Sequence, residues 1–168
     1  MGLTHVPNFS IARATVADSD AILACLRAAF EPYRAEYTAD AYEDTVMTPK
    51  TVRQRIERMT LFVARNDADE IIGTIGGASR GAEGHIRGMA VLPLAQGTGV
   101  ADQLLQAIER HLAEAGCSFV TLDTTAPLTR AARFYERHGY ARSGVVSDFF
   151  GMPLHEYRKQ LYRPHPAS

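Results

Sequence analysis

Apolar residues recur along this chain at two spacings, and the switches between them predict an order of elements. Phe9 to Arg13 reads as a first strand. Thr15, Asp18, Ser19 and Asp20 supply capping residues before Ala21 to Phe30, where Ile22, Leu23, Leu26, Ala29 and Phe30 follow helical spacing. Glu31 to Pro49 is polar, rich in Tyr, Asp and Thr, and without clear periodicity, so no element is expected there. Thr51 to Met59 predicts a second helix. Three apolar runs follow, Leu61 to Arg65, Glu70 to Gly76 and His85 to Leu92, with Asn66 to Asp69 as a hairpin turn between the first two.

From Gly99 a helix is expected to about Glu114, its stripe formed by Val100, Leu104, Leu105, Ile108 and Leu112 and its stop by Gly116. Phe119 to Asp123 reads as a strand. Pro127 opens a helix carrying Ala131, Phe134 and Tyr135 that closes at Gly139. Val145 to Phe150 and Leu154 to Leu161 predict a final hairpin turned at Gly151 to Pro153. The result is one α/β (α+β) domain over residues 9–162, with short tails at 1–8 and 163–168. Its sheet should be mixed and mostly antiparallel, of about six to seven strands, flanked by helices and holding one parallel crossover. The repeated βαβ of a doubly wound nucleotide-binding domain is not this order.

Composition narrows the function classes. The 168 residues carry a formal net charge of -1, which gives no general pull toward nucleic acid or an anionic membrane. No apolar stretch approaches a membrane span, and Met1 to Ser10 lacks the basic start and apolar core of a leader, so a cytoplasmic location is expected. Cys25 and Cys117 match no metal or redox spacing and read as buried thiols, and no metal site is expected.

The chemistry concentrates at Gln96-Gly97-Thr98-Gly99-Val100-Ala101, between the strand Met89 to Leu92 and the helix it opens. Glycines at such a junction let the backbone approach a bulky anion. The N–H groups of the first helical turn then point at that anion, and the helix dipole favours its charge. A phosphate-bearing ligand is expected here. A dinucleotide fingerprint would follow the first strand, whereas this segment follows the fourth.

Met89 to Ala101 resembles the acetyl-coenzyme A signature of the GCN5-related N-acetyltransferases, Gln/Arg-x-x-Gly-x-Gly/Ala, met by Gln96, Gly99 and Ala101. Leu122 to Thr124 with Ala131 to Tyr140 resembles that family's second signature, and Phe150 to Lys159 its closing strand. Leu128 departs from the family, many members of which carry Asn there to contact the pantetheine arm. The resemblance implies the acyl-CoA N-acyltransferase fold, acetyl-CoA as cofactor, an amine of a small molecule or peptide as acceptor, and allows a homodimer.

The resemblance also implies roles. Main-chain groups of Met89, Ala90 and Val91 would meet cofactor amides and the thioester carbonyl, with the N–H of Ala90 or Val91 stabilising charge on its oxygen. Backbone from Gln96 through Ala101 would grip the diphosphate, the Thr98 hydroxyl would add a contact, Phe134 would lie beside the cofactor, and Arg137 would reach the ribose phosphate. Tyr135 stands where the family keeps a general acid toward the leaving thiolate. His85 falls where some members carry a basic glutamate; an imidazole can take a proton near neutral pH. Glu83, Arg87 and Met89 would share its face under strict alternation, and Glu83 or ordered water are the other candidate bases. The variable segments should bind the acceptor, through Phe30, Tyr33, Tyr37 and Arg87. A mixture of Tyr33, Tyr37, Asp40, Tyr42 and Glu43 suits an ammonium group, whereas Arg34 and Arg87 suit a carboxylate. A non-catalytic acyl-CoA sensor or scaffold would keep the glycine segment and dispense with Tyr135 and a base.

Overall fold

The computed structural model describes residues 8–161; Tyr162 and all of both expected tails except Asn8 lie outside the described residues. Strand β1 (Phe9–Arg13) leads through a short turn into α1 (Ser19–Phe30). Two more helices follow, α2 (Ala39–Val46) and α3 (Pro49–Arg58), and then the meander β2 (Thr60–Asn66), β3 (Ile71–Arg80) and β4 (Glu83–Val91). Helix α4 (Val100–Glu114), β5 (Phe119–Thr125), α5 (Thr129–Arg137) and the hairpin β6 (Ala141–Phe149) and β7 (Met152–Gln160) complete the chain. The seven-stranded sheet has the order β1-β2-β3-β4-β5-β7-β6, antiparallel throughout except at the β4–β5 pair. Among the described residues no helix is long and apolar enough to cross a membrane.

The segment expected to lack elements holds a 3₁₀ turn, Glu31–Glu36, and all of α2. Thr38 caps α2 by accepting from the Ala41 N–H, but the helix buries only Ala41 and Val46, too few apolar positions for a visible period. Helix α3 starts earlier than its periodicity suggests because Thr48 and Thr51 form a reciprocal cap around Pro49.

Two cores form on opposite faces of the sheet. Ile22, Leu23 and Leu26 of α1 and Val52 of α3 pack on Leu61, Val63 and Ala90. On the other face Val100, Leu104, Leu105, Ile108 and Leu112 of α4 are fully buried with Ile86, Val91, Val120 and Tyr135. Helix α4 lies close to the strands because Gly73, Gly77 and Gly84 carry no side chain; a Cβ at Gly77 would fall 2.7 Å from Ile108 Cγ1. Cys25 and Cys117 are both buried, and burial pushes the Cys25 thiol up to about 12.

Behind this core the Tyr140 hydroxyl donates to Glu109 Oε2 at 3.1 Å, and Lys159 Nζ reaches the same oxygen at 2.8 Å. Burial, reinforced by the Glu109 carboxylate, holds the Tyr140 phenol far above its ordinary value. Its stabilising contribution is therefore complete below the unfolded value of about 10 and is lost as pH rises beyond it. Tyr140→Phe is expected to flatten the alkaline fall of Tm, and parallel wild-type and variant curves from about pH 8 to pH 11 would refute this.

Candidate active site

Strands β4 and β5 pair only at Glu83–Phe119, Gly84–Val120 and His85–Thr121, and beyond His85 they separate. The resulting cleft of about 410 Å³ is walled by β4, β5, the start of α4, helix α5, the α1–α2 segment and the tip of the β6–β7 hairpin.

At one end the chain turns from Val91 into α4 through Gln96 to Gly99. Gly97 and Gly99 take φ of +77° and +91°, the left-handed region that other residues rarely adopt. A Cβ at either would meet nothing within 4 Å, so both positions open into space beside the N–H groups of the α4 N-terminus. Gln96 Nε2 donates to the Val91 carbonyl at 3.4 Å and ties this turn to the end of β4. The Thr98 hydroxyl donates to the Ala95 carbonyl, so its proton is committed within the turn and only its N–H remains for a ligand.

Along β4 the register slips. Arg87 pairs with Gly76 and Ala90 with Thr74, so three steps on β4 answer two on β3, and the extra residue lies at Gly88, φ +67°. This bulge reverses alternation. Met89 packs in the α4 core, whereas Ala90 turns to α1, so Met89 does not share the His85 face as strict alternation predicts. The Leu92 N–H donates to the Ile72 carbonyl at 2.9 Å. Counting back from it, Ala90 also turns its polar groups to β3, and Val91 turns its own to the gap. Of the two N–H groups expected to meet the thioester oxygen, that of Val91 thus faces the gap and that of Ala90 faces β3.

Tyr135 of α5 enters the gap from the α4 side, 7% exposed, with its hydroxyl donating to Met89 Sδ at 3.2 Å. Burial holds its phenol well above the ordinary value, so it keeps its proton at neutral pH. From the other face, His85 Nδ1 lies 2.7 Å from Thr121 Oγ1, and Thr121 donates to Glu83 Oε1 at 2.7 Å. The single hydroxyl proton goes to the carboxylate, so Thr121 accepts from His85 and Nδ1 carries the ring's hydrogen. In the neutral ring Nε2 then holds the lone pair, 3.4 Å from Asp123 Oδ2.

A model of the acetyltransferase (GNAT) family matches residues 21–140. The chain belongs to the GNAT acetyltransferase family. Its fold is also that of PaiA N-acetyltransferase from Thermoplasma acidophilum in complex with coenzyme A, at TM-score 0.78 and 14% identity over 92% of this chain and 99% of that one. The ribosomal-protein-S18-alanine N-acetyltransferase of Escherichia coli matches at TM-score 0.74 and 15% identity, over 96% and 100% of the two chains. YncA from Salmonella typhimurium, solved with its cofactor acetyl-CoA, matches at TM-score 0.71 and 16% identity, over 96% and 98%.

The GNAT cleft gathers most residues expected from the sequence. Met89, Ala90, Val91, Gln96, Gly97, Gly99, Ala101, Phe134 and Arg137 line it beside Tyr135 and His85, together with Phe30, Tyr33, Tyr37 and Arg87. Thr98 and Val100 are not among its lining residues, and the Val100 side chain is fully buried in the core. Arg34 is also elsewhere, 3.5 Å from Glu31 and stacked over Tyr42 on the surface. Leu128, at the cap of α5, lines the cleft without a side-chain cap hydrogen bond. Sequence reading missed Thr121 and Asp123, although their i, i+2 spacing on a strand beside His85 was the available signal. It also missed Arg55, which a polar helix face conceals.

Proposed function

We propose that this GNAT protein transfers an acetyl group from acetyl-CoA to a primary amine of a small molecule or peptide. One observation carries the reading: a single cleft joins an anion cradle, an unpaired strand edge, a protonated phenol and an imidazole with a free lone pair. The cradle fits the cofactor, since the space a Cβ would fill at Gly97 and Gly99 lies open beside helical N–H groups. When bound, acetyl-CoA supplies an activated acetyl group as a thioester.

The protein's own groups divide the remaining work. Backbone N–H groups of Gly97 through Ala101 would hold the diphosphate, and Arg137 on the cleft wall would meet a further phosphate. The Val91 N–H faces the gap and stabilises negative charge on a carbonyl oxygen there. His85 Nε2 accepts a proton from the incoming amine, and Asp123 stabilises the resulting imidazolium. Tyr135 holds its proton toward sulfur; Met89 Sδ fills that acceptor position in the free protein. Burial disfavours a phenolate and a thiolate alike in this dry site, so the raised phenol remains a usable donor to a departing thiolate. A sensor that only bound acyl-CoA would not need the polarised Glu83–Thr121–His85 chain, which favours the enzyme.

Thiol release measured with an amine library tests the reading, which fails if no amine accelerates release above hydrolysis. His85→Ala is expected to lower kcat by about 100-fold. A variant that keeps the wild-type rate would move the proton to Glu83 or to water.

A further inference from the structure

Beyond His85 the cleft ends at two guanidinium groups. Arg55 comes from α3, and Arg87 lies two residues past His85 on the same face of β4. Arg55 is half-buried, yet among the described residues its guanidinium makes no hydrogen bond and no ion pair. That sets it apart from the chain's other half-buried cations. Lys159 is held by Glu109 at 2.8 Å, and Arg65 by Asp18. Burial, and then the charge of Arg87, pull Arg55 down to about 10, so an anion here would relieve both penalties. The strand is shaped around the group as well: a Cβ at Gly88 would lie 3.0 Å from Arg55 Nη1, and the glycine bulge leaves that space free.

We propose that Arg55 and Arg87 clamp the carboxylate of an amino-acid-type acceptor whose amine lies at His85 Nε2. The proposal rests on the acetyl-transfer reading and narrows its substrate class. Two residues of strand separate His85 and Arg87 by about 6.5 Å. That is a backbone spacing from which an imidazole and a longer guanidinium side chain on one face can both reach a single small acceptor carrying an amine and a carboxylate. Asp44 lines the same end of the cleft and acts on Arg55 with opposite sign, so it offsets part of the charge of the two arginines. That balance suits a monoanionic carboxylate better than a phosphate dianion. Phe30 and Tyr33, with ring centroids 6.4 Å apart, and Tyr37 form the wall that would receive an apolar side chain.

Matched acceptors test the clamp on the full chain. The L-amino acids and their α-carboxamides are offered with saturating acetyl-CoA, and kcat/KM is compared within each pair. For the best pair the wild type should prefer the acid by about 30-fold, mostly through KM, as expected for charge-assisted hydrogen bonds. R55Q and R87Q should each bring that ratio near one, whereas loss of His85 should lower both acceptors and keep the ratio. A wild-type ratio near one, or a preference retained in both arginine variants, overturns the proposal. A second readout is independent of turnover. With CoA present, N-acetyl-L-amino acids should raise Tm more than their amides in the wild type but not in R55Q or R87Q. Equal shifts in the wild type overturn the clamp even if no amine is acetylated, an outcome that by itself would sink the acetyl-transfer reading instead.

Discussion

Replacing Tyr135 with Phe is expected to cut kcat for acetyl transfer by roughly 100- to 1,000-fold while leaving the Kd for CoA within about threefold. The asymmetry follows from where the hydroxyl points. Tyr135 is buried, and its ring packs against Phe134 and Tyr140 with centroids 5.4 and 5.6 Å away, contacts that Phe retains. Among the described residues its side chain makes one polar contact, the hydroxyl donated to Met89 Sδ, a weak acceptor, so the fold loses little. What disappears is a donor aimed at sulfur. Pre-steady-state thiol release measures the loss directly, and an unchanged rate would remove Tyr135 from the chemistry.

Gly99→Val is expected to weaken CoA binding by at least about 100-fold, and for a reason separable from its effect on stability. In the free protein a Cβ at Gly99 has room, so the fold bears only the strain of a β-branched residue at φ +91°, about 2 kcal/mol. For a chain of this size that lowers Tm by roughly 4–8 °C. The binding defect has another origin, because the side chain enters the space beside the α4 amides. Gly99→Ala carries similar backbone strain with less bulk and should fall between the two in affinity. Calorimetric titration with CoA decides the matter. A Gly99→Val protein that binds like the wild type would place the diphosphate elsewhere.

Much of this site was legible because its chemistry depends on local backbone. The Gln96 to Ala101 turn, the α4 stripe and the Asn66 to Asp69 hairpin each encode their geometry in neighbouring residues; Asn66 Oδ1, for example, accepts from the Ala68 and Glu70 N–H groups. Helix α2 was not legible, because its order comes from packing two small buried residues rather than from a period of its own. The bulge at Gly88 escaped for a related reason. A glycine in a strand can mean a kink or only a small side chain, and the β3 partner decides which. That single uncertainty misassigned the face of Met89.

The sequence alone determined the order of elements, the mixed sheet with its parallel crossover and the glycine turn, since apolar period and turn chemistry act between residues a few positions apart. Only the tertiary structure decided the proton's place in the Glu83–Thr121–His85 chain, the partner of His85 at Asp123, and the meeting of Arg55 with Arg87. Those groups lie on different strands and helices. Their charges and hydrogen bonds couple through space, where separation along the chain carries no information.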